Sequence, residues 1–218
     1  MKFLALITAR GCSKRLKNKN LILLNKKPLI YWSINFAKKI KEVKEVVIST
    51  DSKTILDKSN KYGVKTKWLR PKKLALSNTT SEAVVKHAYL KEKKNGLNVD
   101  AIILLQPTSP FRDIRVLKKA LKLFIKDPSI PLVSVSKLRH PSKLLLANNK
   151  RLSPFKLNKP AFIPNGSIFI LKTEQALSLK NYLGGKVNYI ELQGIKQNID
   201  IDTILDLKLA KILFNIKI

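Results

Sequence analysis

A chain of 218 residues is long enough for one α/β domain with a substantial core, and 44% hydrophobic with 27% charged residues is ordinary for a soluble globular protein. No stretch approaches the roughly 20 apolar residues of a membrane span, and a single Cys excludes an internal disulfide framework. The unusual quantity is charge: 44 Lys plus Arg against 14 Asp plus Glu, a net +30 that would draw any polyanion. The lysines are spread over every helical run and most loops, however, and aromatics at 7% are not interleaved with them as stacking platforms. This distribution argues against nucleic acid as the partner. The start, "MKFLALI", lacks a cleavage site and runs into a charged loop, so the expectation is a cytoplasmic protein without a leader.

In chain order, "KFLALIT" (2–8), "EVVIST" (45–50), "VKTKWL" (64–69), "DAIILLQ" (100–106) and "PLVSVS" (131–136) read as strands. They are rich in Val, Ile and Leu with little alternation, as strands covered on both faces are. Helical runs fall between them at 28–40, 52–63, 81–96 and 113–127. The last places Val116, Leu117, Ala120, Leu121 and Phe124 at helical spacing behind a capping Asp113, and Gly63 and Gly96 stop two of the others. The pattern breaks at 137–165, which holds four prolines and is too short to bury a core of its own, so it reads as an excursion from the sheet. A strand (167–171), a helix (173–182), a strand (187–192) and a closing helix near 203–215 follow. The closing helix carries Ile204, Leu205, Leu209, Ile212 and Leu213 as its apolar set. Strand–helix repetition predicts an α/β fold with a mostly parallel sheet covered on both sides. Ligands in such sheets bind beyond the carboxyl ends of the strands. The loops after 8, "STD" (49–51) and "QPTSPFR" (106–112) should therefore border one crevice.

Two constellations could carry chemistry. The first is "TARGCSKRLKNKN" (8–20), which lacks the second Gly of the phosphate-cradling loop of ATPases. Its backbone N–H groups could still wrap phosphates while Arg10, Lys14 and Lys19 neutralise them, and Asn20 offers an amide for a base or ribose. A loop that is merely basic and solvated fits the same residues. The second is "NIDIDTILDL" (198–207). In an extended segment Asp200 and Asp202 share one face, and two close carboxylates need a proton or cation between them. Such a pair suits Mg²⁺ completed by substrate phosphates. Equally, Asp202 or Thr203 could cap the last helix, with Asp206 as a dipole partner or surface charge. His87 and His140 form no zinc cluster, and Cys12, although set among cations, has no His near it in sequence.

The loop, "PLIYWSI", "VVISTD", "LRPKKLA", "LLQPTSPFR", "PNGSIFI" and "DIDTILDL", in this order, resemble the acylneuraminate cytidylyltransferases over nearly the whole chain. The resemblance implies a three-layer nucleotidyltransferase-like (Rossmann-like) sandwich. Its reaction would pass CMP from CTP to the anomeric hydroxyl of a sialic-acid-like nonulosonic acid, assisted by Mg²⁺. Arg10, Lys14, Lys19 and Asn20 match nucleotide-holding positions, with Lys19 beside the reacting phosphate. Arg70 and Ser81 match contacts to phosphate or cytosine, and Gln106 and Asn165 fall at sugar-side positions. Asp200 and Asp202 match the metal pair, one of them also orienting the attacking hydroxyl. The 137–165 excursion resembles a dimerisation arm on a single 1–218 domain, implying a homodimer.

The chain departs from the family at three places. Arg15 stands where Gly is common, Ser77 where an acidic residue is frequent, and "FKLNKPAFIPNG" has Lys156 and Lys159 where an Arg-Arg-Gln stretch is usual. Two competing readings remain. One keeps the fold with another sugar acid or nucleotide donor; the eight-carbon acid is disfavoured by the lack of a "YGS"-type first loop. The other is a basic nucleic-acid-binding protein on a degenerate scaffold.

Overall fold

The computed structural model describes residues 1–139, 145–148, 151–154 and 159–216. In chain order the strands are β1 (Phe3–Thr8), β2 (Leu23–Leu24), β3 (Lys27–Pro28), β4 (Val43–Ser49), β5 (Ala101–Leu105), β6 (Leu132–Lys137), β7 (Leu145–Asn148), β8 (Arg151–Pro154), β9 (Phe162–Lys172) and β10 (Asn188–Glu191). The helices are α1 (Leu29–Ala37), α2 (Lys53–Lys61), α3 (Ser81–Lys94), α4 (Ile114–Lys126), α5 (Thr173–Ser178), α6 (Gly194–Asn198) and α7 (Ile204–Asn215). No helix among the described residues is long and apolar enough to cross a membrane.

Six strands form one sheet in the order β10-β6-β9-β5-β1-β4. β1 pairs in parallel with β4 and β5, and β6 with β10, whereas β9 runs antiparallel to both β5 and β6. The expected mostly parallel α/β sheet is present. β1 is buried on both faces, which is why it reads as a continuous apolar run. Phe3, Ala5 and Ile7 pack with α1 and α4 through Ile34, Leu117, Leu121 and Phe124. Leu4 and Leu6 pack with α3 and α5 on the other side, against Val85, Ala88, Tyr89 and Ala176.

The expected apolar face of α4 is the buried one, with Leu117, Ala120, Leu121 and Phe124 inside and the Asp113 carboxylate accepting the Arg115 N–H as a cap. Gly63 and Gly96 take positive φ of 79° and 85°, the left-handed turn that releases each chain from its helix. Other expectations are corrected. Residues 64–69 are not a strand. The segment runs extended beside β4, but the Ile48 N–H is taken by the Thr66 hydroxyl at 3.0 Å in place of a backbone ladder. The strand expected at 167–171 begins at Phe162, because a register shift opposite Val133–Val135 accommodates the "PNG" kink. The helix expected to reach 182 ends at Ser178, with Leu179 extended.

Of the apolar set its spacing suggested, the closing helix buries Leu213 alone. Leu207, Ala210 and Leu213 pack against Leu24, Leu29, Ile199 and Ile201, while Leu205 is 70% and Ile212 60% exposed. Apolar residues surround most of this helix, so periodicity could not choose the face. Within the 137–165 excursion, β7 and β8 form a two-stranded antiparallel hairpin that the sequence did not announce. His140 and Lys156 lie outside the described residues.

Candidate active site

Of the three carboxyl-end loops expected to border one crevice, those after β1 and β5 line it, and "STD" stands behind them. A cavity of about 310 Å³ opens above β1 and β5, and its lining includes Arg10, Lys19, Asn20, Arg70, Ser81 and Gln106. Six positions proposed from sequence thus meet around one space. The β1 loop is drawn tight by its own residues. The Asn20 side-chain amide donates to the Arg10 carbonyl at 2.9 Å, closing the loop on itself. The Gly11 N–H donates to Asp51 at 2.8 Å, and a Cβ on Gly11 would lie 2.9 Å from the Cβ of Ser52. A side chain at Gly11 would therefore push this loop off the β4 end. Asp51 also stands 3.7 Å from the buried guanidinium of Arg70, so "STD" positions two cavity elements without lining the cavity itself. Burial lowers the Arg70 pKa and the Asp51 carboxylate opposes that shift.

Across the cavity mouth the two ends of the chain meet. Lys19 Nζ lies 2.5 Å from an Asp202 carboxylate oxygen, and Arg15 pairs with the other oxygen. Asp202 is set in place from its C-terminal side. Asp206 accepts from the N–H groups of Asp202 and Thr203 and from the Thr203 hydroxyl, while Thr203 caps α7 in return. The choice between metal couple and helix cap is thereby divided between residues: Thr203 and Asp206 do the capping, and both Asp200 and Asp202 remain outside the helix. The Ile201 N–H bonds the Thr108 carbonyl at 2.9 Å, docking this acidic segment on the β5 loop. Burial raises the Asp200 pKa, the charges of Asp202 and Asp206 act in the same sense, and the Thr108 hydroxyl and Lys19 oppose them.

A second, inner cavity of about 260 Å³ adjoins the first, sharing Ser81 and Gln106 with it. Asp200, Asn165, Phe169 and Tyr182 are among its walls. Lys14 is an exposed residue that lines neither cavity. The Asn165 side chain is engaged inside the fold: it accepts from the Ser134 hydroxyl at 2.6 Å and donates to Ser136 and Asn198. What Asn165 and Gly166 give the cavity is therefore its shape.

Residues 4–212 match the cytidylyltransferase family. The chain belongs to that family. Over 222 residues, this cytidylyltransferase is 33% identical to the CMP-N,N'-diacetyllegionaminic acid synthase of Legionella pneumophila, covering 97% of this chain and 95% of that one. It is 29% identical to the pseudaminic acid cytidylyltransferase of Campylobacter jejuni, covering 99% and 97%. Against the N-acylneuraminate cytidylyltransferase of Escherichia coli it is 32% identical over 96% of this chain but only 51% of that longer protein. Its fold superposes on a CMP:2-keto-3-deoxy-manno-octonic acid synthetase complexed with CTP. That match has a TM-score of 0.73 and 20% identity, and covers 98% of both chains.

Several residues of this cytidylyltransferase's cleft were not singled out from sequence. Arg112 closes "QPTSPFR": its guanidinium donates to the carbonyls of Ser167 and Gln106 at 2.7 and 2.5 Å and to the Ser33 hydroxyl at 2.9 Å. Burial pulls its pKa down and the Asp200 carboxylate counters this. Ser13, Thr79, Thr80 and Thr108 also line the outer cavity, the two Thr at 79–80 bringing the positive end of α3 to its wall. A Thr-rich stretch ahead of a helix was the available signal.

The chemistry of Asp200 and Asp202 suits a hard divalent cation, with Asp202 here engaged by Lys19 and Arg15. Asp200 and Asp202 supply carboxylate oxygens only, and among the described residues no group of three or more His, Cys, Asp or Glu could form an all-protein cage. Mg²⁺ is held in just this manner, by one or two carboxylates with phosphates and water completing its shell.

Proposed function

We propose that this cytidylyltransferase joins CMP from CTP to the anomeric hydroxyl of a nonulosonic acid of the neuraminic, legionaminic or pseudaminic type, with pyrophosphate leaving. The observation that carries the reading is the junction of two cavities at Ser81 and Gln106, with the Lys19–Asp202 contact at their mouth. The outer, cationic cavity suits a nucleotide triphosphate, and the inner one suits the sugar acid. The names of the three relatives supply the substrate class.

In this reading Arg10, Lys19 and Arg70 hold the phosphates, and Asn20 and Ser81 orient the nucleoside, while Lys14 stays outside both cavities. Charge that builds on the departing pyrophosphate meets cations already fixed in place, so little reorganisation is needed as the bond breaks. Gln106 and the Asn165–Gly166 turn shape the sugar side. Asp200, on the inner wall, orients the hydroxyl and accepts its proton as oxygen attacks the α-phosphorus. Mg²⁺ held by Asp200 and Asp202 would supply further neutralisation of the triphosphate.

A homodimer built through 137–165 belongs to the same proposal. Its support is that β7 and β8 pair with each other outside the six-stranded sheet. Pyrophosphate release from CTP against a panel of nonulosonic and eight-carbon acids, with UTP and GTP as rival donors, tests the assignment. Release only with CTP plus a nonulosonic acid is expected; no release across that panel overturns it. Light scattering on the purified protein reads the oligomeric state.

A further inference from the structure

Arg15 lies on the same loop as Arg10, Lys14 and Lys19, yet its guanidinium is committed to Asp202 and it does not line the outer cavity. One carboxylate thus faces two cations, with the partly buried Asp200 close enough to repel it. The two cations are not equivalent. The Lys19 side chain is 16% exposed and forms part of the cavity wall, whereas that of Arg15 is 67% exposed, on a segment without helix or strand. A divalent ion approaching Asp202 needs one of its oxygens and meets both positive charges. The cation that can leave at little cost is the exposed one, since exposed ion pairs contribute about 0–1 kcal/mol.

We propose that Arg15 is a displaceable internal counter-ion: it occupies Asp202 until a divalent cation takes that carboxylate, and is then released toward the substrate phosphates beside Arg10. Its planar guanidinium fork is suited to either partner, carboxylate or phosphate. The exchange keeps Asp202 neutralised in the empty enzyme, and it couples the entry of the metal to the delivery of another cation to the nucleotide. The inference rests on Asp202 as a metal ligand in the proposed function.

Mn²⁺ binding to the nucleotide-free protein, followed by electron paramagnetic resonance, tests it without turnover. Arg15→Ala should bind Mn²⁺ about fivefold more tightly than wild type, the size of one exposed ion pair. Arg15→Lys, which keeps the charge, should stay near wild type. Lys17→Ala removes a charge from an exposed residue of the same loop and should produce a distinctly smaller gain. Calorimetry on each variant checks folding. Unchanged or weaker Mn²⁺ binding by Arg15→Ala, or an equal gain from Lys17→Ala, overturns the inference. Asp202→Asn separates the two levels: if it binds Mn²⁺ as wild type does, the metal reading itself fails and the inference falls with it. If it weakens binding while Arg15→Ala changes nothing, only the inference fails.

Discussion

Gly166 and Gln106 stand so close that a side chain at 166 would displace the Gln106 amide: a Cβ built on Gly166 would stand 2.5 Å from Gln106 Oε1, and Gly166 holds a φ of +69°. The "PNG" turn of β9 and the end of β5 therefore approach as closely as backbone and amide allow, at the boundary of the two cavities.

Gly166→Ala should accordingly lower activity more than stability. The left-handed backbone costs an alanine about 1–2 kcal/mol, or a fall of about 2–8 °C in Tm for a chain of this size. The mobile end of Gln106 yields to the methyl group and leaves its place. In a double-mutant cycle, Gly166→Ala should add little to the loss of turnover caused by Gln106→Ala; full additivity would show that the two act separately.

Lys19→Met removes the cavity-wall cation that faces Asp202. If Lys19 steadies charge at the reacting phosphate, kcat should fall by about 10²–10³, the range for loss of one such group. Thermal stability should hold to within about 1 kcal/mol, because the pair is partly exposed and Arg15 still neutralises Asp202. A variant that keeps more than a tenth of wild-type kcat would remove Lys19 from the reaction.

Arg112→Lys tests geometry at constant charge. A single ammonium cannot reach Gln106, Ser167 and Ser33 together as the fork does, and acceptors left without a partner cost about 1–3 kcal/mol. Since Arg112 anchors the Gln106 backbone, KM for the sugar acid should rise while that for CTP moves less. Chemical denaturation and the two KM values read both effects.

Asp113→Ala removes the cap of α4 and should cost about 1 kcal/mol at neutral pH. Hydrogen bonding to Arg115 holds the Asp113 pKa below its ordinary 3.8. The carboxylate therefore adds stability above that value and loses it as pH falls through the lower folded-state pKa. The Tm gap between wild type and Asp113→Ala should narrow below about pH 4. A gap that stays constant to pH 2 would assign the cap no charge-dependent part.

What could be read from residues alone was local. The buried β1, the cationic loop after it, the α4 face and the "DIDT" segment are each written in a few neighbouring side chains, and the structure has these elements where they were expected. Direction and pairing are not local. β9 runs opposite to its neighbours, and nothing in "GSIFIL" encodes that; the bonds to β5 and β6 decide it. Residues 64–69 alternate buried and exposed as a strand would, and only the Thr66 hydroxyl at Ile48 separates an edge segment from a paired one. In the site, charged residues announced themselves through their motifs. Arg112 and Asp206 act through carbonyls and N–H groups of other segments, and those partners become visible only once the chain is folded.

The Lys19–Asp202 contact bridges 183 positions of sequence. A nascent chain leaves the ribosome from its N-terminus, so the cationic loop is made before its acidic partner. Contacts between residues so far apart in sequence form slowly in general, because loop closure must come before the contact is gained. If turnover needs this contact, activity should recover in refolding only after the β1–β4–β5 core has formed.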